Sequence, residues 1–134
     1  MRNIFFVLLV FLISSCESKN DFNDNLTDNE LGNVWILKTL EDNEYSYTDN
    51  QLKFEADGTC TTYISRDENR MGAPSSINVD NRDIGKSTWK YETRDSTLRV
   101  LDSYDYKVIR YSKDSVVMEG NGYDGRFLLV RMKR

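Results

Sequence analysis

The chain has 134 residues, with 22 acidic and 18 basic side chains and no histidine, which gives a formal net charge of −4. A chain of this length forms one domain with one modest hydrophobic core. The mildly acidic balance argues against a nucleic-acid partner. The absence of histidine removes the commonest general base and the commonest metal ligand together.

The first fifteen residues are typical of an export signal. Arg2 supplies a positive charge, and residues 4–13 form an unbroken apolar run. Ten helical residues rise only about 15 Å, roughly half of a bilayer's hydrocarbon core. The run therefore predicts a signal peptide rather than a membrane span. Two small residues, Ser14 and Ser15, follow the run and stand directly before Cys16.

Residues 13–16, Ile-Ser-Ser-Cys, resemble the lipobox of bacterial lipoproteins. The resemblance implies that the chain is cut before Cys16 and that Cys16 carries acyl chains. Two or three such chains hold a protein firmly to a bilayer, whereas one chain is marginal. The expected location is the cell envelope, lipid-anchored to the outer membrane and facing the periplasm or the cell surface.

The segment after Cys16 predicts a flexible tether. Residues 17–30 contain five acidic side chains against Lys19 alone, and few apolar residues. Such a composition is typical of disordered chain. The chain is therefore expected to divide into a signal peptide (1–15), a lipidated cysteine with an acidic tether (16–30) and a folded domain (31–134).

The folded region predicts strands throughout. Residues 51–55 and 87–92 alternate apolar with charged side chains, as half-buried strands do. Short segments rich in Asp, Ser, Asn and Gly separate the strands and predict tight turns. Eight short strands joined in this way favour an all-β fold, an antiparallel up-and-down barrel, because closure removes the two exposed edges. The predicted strands are 34–40, 51–55, 59–65, 87–92, 97–101, 105–111, 115–119 and 126–132.

One connection is much longer than the others. Residues 66–85 include Pro74, the one proline of the chain, and leave room for a short extra strand at 77–79. A connection of this length inside a compact domain is usually functional or disordered. We therefore expect residues 66–85 to act as a lid or a contact surface.

Several positions resemble the lipocalin-like lipoproteins of Gram-negative envelopes. Gly32 and Trp35 resemble the Gly-x-Trp signature of lipocalins, although the spacing here is one residue longer. The resemblance implies that Trp35 closes the barrel floor against an arginine of the last strand, either Arg131 or Arg126. Such a contact combines burial with cation–π attraction. The other matching positions are Leu52, Phe54, Asp57, Gly58, Thr59, Trp89, Leu98, Val100, Tyr106 and Val108.

The residues that carry chemistry point away from catalysis. With Cys16 lipidated, Cys60 is the one remaining thiol, and we expect it to fill the core. Nearly all carboxylates lie in predicted turns or on the polar side of alternating strands. The oxygen-rich segments 42–44 and 80–83 lack the ligand spacing of a known calcium loop. The sequence therefore predicts a protein that is not an enzyme and has no catalytic residue, metal site or cofactor.

Aromatic side chains on the strands are the candidate ligand-binding residues, namely Phe54, Trp89, Tyr91 and Tyr106. An eight-stranded barrel is either filled by its own side chains or just wide enough for one small ligand. The short chain favours the filled interior. The filled and the ligand-holding interior both remain open alternatives at this point. The predicted function is binding of a small apolar ligand or an envelope protein at the barrel mouth. The alternative is a protein-interaction factor, such as an inhibitor or immunity lipoprotein, or an accessory subunit of an outer-membrane assembly.

Overall fold

The structure, a computed structural model, describes residues 21–75 and 86–133. Within these residues the chain forms one short helix and nine strands. No helix among them is long and apolar enough to cross a membrane. The elements are α1 (Asp21–Leu26), β1 (Val34–Glu41), β2 (Glu44–Phe54), β3 (Thr59–Ile64), β4 (Ala73–Pro74), β5 (Lys86–Glu92), β6 (Thr97–Val100), β7 (Tyr104–Tyr111), β8 (Ser115–Gly120) and β9 (Arg126–Arg131).

Eight of these strands close into an antiparallel barrel. Their order around the ring is β2-β1-β9-β8-β7-β6-β5-β3, and pairing of β3 with β2 completes it. The two-residue strand β4 pairs with the end of β3, where Ala73 is opposite Ile64, on the same edge of β3 that pairs with β5. The predicted all-β, up-and-down barrel is therefore confirmed.

The predicted strand limits agree with the structure to within one residue, except at β2. This strand begins at Glu44, seven residues before the predicted start at 51. Residues 44–47 pair with the second half of β1, and an irregularity follows them, where Asp49 adopts a φ of 65°. The irregularity breaks the alternation of side chains, so the pattern missed this half of the strand. The predicted strand at 77–79 lies outside the described residues.

The barrel has two different ends. The turns 55–58, 93–96 and 112–114 lie at one end together with α1, and we call this the closed end. The turns 42–43, 101–103 and 121–125 lie at the opposite end, and we call this the mouth. The connection that leaves β3 and returns at β5 also starts and finishes on the mouth side.

The barrel interior next to the closed end is filled by the protein's own side chains. Alternation along each strand turns every second residue inward. These inward residues form one continuous buried cluster. Of the two alternatives left open by the sequence, a filled and a hollow interior, this part of the barrel has the filled one. Its most deeply buried members are Leu26, Trp35, Phe54, Cys60, Leu98, Val100, Val116, Met118 and Leu129.

The segment expected to be a flexible tether differs from that expectation. Asp21–Leu26 form helix α1, and its side chains Phe22 and Leu26 are buried in the core cluster. A spacing of four residues places both on one face of the helix. The amino-acid composition does not reveal this helix, because two apolar side chains among many acidic ones are enough to dock so short a helix. Asp21–Leu26, within the segment predicted as a tether, therefore pack against the barrel core.

Candidate functional site

The closed end is sealed by a contact between Arg131 and Trp35. The Arg131 Cζ atom lies 4.3 Å from the centroid of the Trp35 ring, in cation–π geometry. The Trp35 Nε1 group donates a 3.0 Å hydrogen bond to the carbonyl oxygen of Leu26, the last residue of α1. Arg126, the other candidate from the sequence, lies outside the barrel and pairs with Glu119 at 2.6 Å.

The Arg131 guanidinium also ties separate segments of the closed end together. It donates hydrogen bonds of 2.7 Å to the carbonyl oxygens of Asn25 and Lys113, and a further one to the carbonyl oxygen of Gly32. The carbonyl of Asn25 belongs to the last turn of α1, where helix carbonyls lack partners of their own. Burial lowers the pKa of Arg131, and the nearby carboxylates of Asp28 and Asp114 oppose that shift. These contacts hold α1, the start of β1 and the turn before β8 together and plug the barrel interior at the closed end.

Three of the four predicted ligand-binding residues lie toward this sealed end. Phe54 and Trp89 are buried and meet edge to face, with ring centroids 5.6 Å apart. The Trp89 Nε1 group donates to the carbonyl oxygen of Glu55 at 2.8 Å. Tyr91 lies 4.1 Å from Phe22 of α1, measured between ring centroids. These three rings contact other core side chains rather than a shared ligand cavity.

The fourth residue, Tyr106, belongs to a different group of side chains at the mouth. Its ring centroid lies 5.2 Å from that of Phe127 and 5.9 Å from that of Tyr123. Burial raises the pKa of Tyr106, and partial burial together with a hydrogen bond to Tyr106 raises the pKa of Tyr123. Tyr104 pairs with the inward-facing Val100, so it also points into the barrel.

Ile64 completes this group from the other side of the ring. It ends β3 two residues after the buried Thr62 and therefore faces inward as well. Exposed fractions are 51% for Ile64, 49% for Tyr104 and 38% for Tyr123, which is high for large apolar side chains. We call Ile64, Tyr104, Tyr106, Tyr123 and Phe127 the mouth cluster.

Of the mouth cluster, the sequence-based candidates include Tyr106 alone and miss Ile64, Tyr104, Tyr123 and Phe127. Tyr104 and Tyr123 lie in segments predicted as turns, and Ile64 lies near a strand end. No local pattern marks such residues. They share one surface because antiparallel pairing brings the ends of β3, β6, β7, β8 and β9 to the same side of the barrel.

The turns around the mouth carry negative charge. Residues 41–44 hold three acids, and turns 101–103 and 121–125 hold one each, with no lysine or arginine in any of them. All five carboxylates are exposed, and within residues 21–75 and 86–133 no Lys or Arg lies within 4.0 Å of them. These three turns therefore give the apolar mouth an acidic rim along their part of its edge, while the connection that follows Ile64 carries Arg66 and Arg70 beside Asp67 and Glu68 and adds no net charge. The five are Glu41, Asp42, Glu44, Asp102 and Asp124.

A concave surface lies on the outer wall of the barrel. The fully buried Gln51 amide accepts a 3.0 Å hydrogen bond from the Gly72 N–H and donates one of 2.7 Å to the carbonyl oxygen of Arg70. These bonds hold the first part of the long connection against β2. A cavity of about 370 Å³ opens beside it, and Val34, Lys53, Asn69, Met71, Met132 and Lys133 are among its lining residues.

The described residues show little that suits covalent or metal chemistry. Cys60 is fully buried, and burial raises its pKa to about 12, so the thiol is protonated and shielded at neutral pH. Among the described residues, the buried hydroxyl of Thr62 has no hydrogen-bond partner. In the part of the chain that the structure describes, no group of three or more His, Cys, Asp or Glu side chains is arranged to hold a metal ion.

No known protein family, curated protein or solved structure matches this chain. The class of protein therefore follows from the fold itself. It is an eight-stranded antiparallel up-and-down barrel, consistent with a lipocalin-like fold, and Arg131 and Trp35 seal its closed end.

Proposed function

We propose that the protein is a non-enzymatic, lipid-anchored lipoprotein of the bacterial cell envelope that binds a small apolar molecule or a protein at the barrel mouth. The observation that carries this proposal is the exposure of the mouth cluster. Ile64, Tyr104 and Tyr123 present apolar surface at one end of a barrel whose other end is sealed. Large apolar side chains left exposed at one end of a barrel mark a candidate binding surface, and barrel mouths are a frequent place for a binding site.

The sequence before the helix supports a membrane anchor close to the barrel. Cys16 is five residues before Asp21, and five residues span at most about 18 Å. Strands of eight residues, tilted as in a barrel, give a height of roughly 20 Å. In this proposal the closed end, where Asp21 lies, is next to the bilayer, because the spacer is too short for the mouth to face it. The mouth then points away from the anchoring membrane.

The anchor is tested by labelling cells that express the full chain with radioactive palmitate. We expect the chain to carry label and to lose it in a Cys16→Ser variant. Cys60→Ser is the matched control, because the Cys60 thiol is buried and that variant should keep the label. Label that persists in Cys16→Ser would overturn the anchor.

Mouth binding is tested with the neutral apolar dye N-phenyl-1-naphthylamine. The protein is the mature chain from residue 16 with Cys16→Ser, which carries no lipid and is called here the lipid-free chain. We expect dye fluorescence to rise on binding and the affinity to fall about tenfold when Tyr104 and Tyr123 are both changed to serine. Ile109→Ser is the matched control, since Ile109 is 46% exposed but lies outside the mouth cluster. Dye binding that the double variant leaves unchanged would overturn a binding role for the mouth.

A further inference from the structure

We propose that the mouth is a docking surface for a basic polypeptide segment that carries apolar side chains. This inference rests on the proposed function, because it assumes that the mouth is where the protein binds. It goes further by naming the chemistry of the partner. Three features of the mouth lead to it: a shallow floor, a wide spread of exposed apolar residues, and an acidic rim.

The shallow floor favours a partner that lies across the mouth. Leu98, Met118 and Leu129 are fully buried in the barrel interior, and Val100 is buried directly beside Tyr104. A small ligand that had to descend into the barrel would displace these close-packed side chains. A polypeptide segment needs only the surface that the mouth cluster already exposes.

The exposed apolar residues are spread over separate elements. Ile64 ends β3, Tyr104 begins β7, and Tyr123 lies in the turn between β8 and β9. Side chains spaced around a ring contact a partner at several points, as the core of a protein interface does. Tyrosine is also enriched in such interfaces, where its ring is buried and its hydroxyl finds a hydrogen bond.

The acidic rim selects the sign of the partner's charge. The five rim carboxylates, among them Glu41, Glu44 and Asp124, are exposed and have no Lys or Arg within 4.0 Å among the described residues. Such a rim attracts a basic segment and repels anionic lipids and acidic peptides. It also disfavours a second copy of this chain docking mouth to mouth, because ten like charges would then face one another.

The test uses dye-labelled peptides and fluorescence anisotropy with the lipid-free chain. The probe is a peptide of about twelve residues built from Lys, Leu and Ser in equal numbers, long enough to lie across a barrel mouth in extended form. One comparison peptide has Glu in place of Lys, and a second has Ser in place of Leu. We expect the first peptide to bind, and each comparison peptide to bind at least tenfold more weakly.

Variants of the protein locate the contact. Changing Tyr104 and Tyr123 to serine is expected to raise the Kd of the basic peptide about tenfold. Changing Glu41 and Glu44 to glutamine is expected to raise it about fivefold at low salt, with little effect at about 0.5 M salt, because exposed charges are then screened.

The control is Asp24→Asn with Asp95→Asn, which removes the same amount of charge at the closed end and should leave the Kd unchanged. Asp24 and Asp95 are both exposed there. Thermal unfolding of every variant shows whether it is folded. Equal effects of the closed-end and mouth variants would overturn the inference, since they would reflect net charge alone.

The remaining outcomes separate this inference from the proposed function. If the apolar dye binds at the mouth but the basic peptide does not, the inference fails and the proposed function stands. If neither binds, both fail. If dodecylamine competes with the peptide at equal concentration, the site takes a small cationic amphiphile and the polypeptide partner is overturned. If the Glu peptide binds as tightly as the Lys peptide, the acidic rim does not select the partner.

Discussion

Replacing Arg131 with alanine is expected to destabilise the fold more than any exposed charge substitution would. Arg131 is buried, lies over Trp35, and donates hydrogen bonds to the carbonyl oxygens of Asn25, Gly32 and Lys113. Each hydrogen bond from a charged donor contributes about 1.5–3 kcal/mol, and carbonyls that remain buried without a partner cost more. Some of the loss is offset because the guanidinium no longer has to be desolvated.

The net expectation for Arg131→Ala is a loss of about 4 kcal/mol in the free energy of unfolding. In a folded domain of this size, that corresponds to a fall in Tm of roughly 15 °C. Arg131→Lys should recover less than half of the loss, because one ammonium group cannot reach carbonyls on three separate segments as the planar guanidinium does.

Urea unfolding of the lipid-free chain, followed by tryptophan fluorescence, measures these changes, since Trp35 lies directly under the substituted side chain. Arg126→Ala is the matched control from the same strand. Its ion pair with Glu119 is exposed, so the expected cost is below about 1 kcal/mol. The reasoning fails if Arg131→Ala costs less than about 1 kcal/mol, or if the two arginine variants cost the same.

Three further expectations follow from the packing. Leu26→Ala should lower the free energy of unfolding in urea by about 3 kcal/mol, because Leu26 is fully buried. Asp24→Ala, at an exposed position of the same helix, should change it by less than about 0.5 kcal/mol. Equal effects of the two variants would mean that α1 is not docked on the barrel. Cys60, with a pKa raised to about 12, should react with a thiol reagent at pH 8 only as fast as the protein unfolds, and rapid reaction of the folded protein would contradict its burial. Gly72→Ala should lower the free energy of unfolding by about 2 kcal/mol and make the segment around residue 72 sensitive to proteolysis, because the added Cβ would overlap the backbone carbonyl of Ile64. A variant with the Tm of the wild type would refute this close contact.

The architecture of the barrel could be predicted because its signals are local. Alternating side chains and Asp- and Gly-rich turns identified eight strands, and closing them into a ring was the arrangement that left no free edge. Because the prediction used local alternation, it did not identify residues 44–50 as part of β2, where the irregularity at Asp49 interrupts the alternation. The prediction also did not identify α1, since two buried side chains in an acidic segment leave almost no compositional signal.

The amino-acid sequence by itself determined the all-β class, the strand limits of most of the barrel, and the aromatic residues from which a site would be drawn. Only the tertiary structure decided that Phe54, Trp89 and Tyr91 contact the closed-end core while Tyr106 joins Tyr123 at the mouth. Strand formation depends on neighbours a few residues apart, so it can be seen in the sequence. The composition of the mouth depends on which strand ends meet when the ring closes, and those residues are separated by tens of positions along the chain.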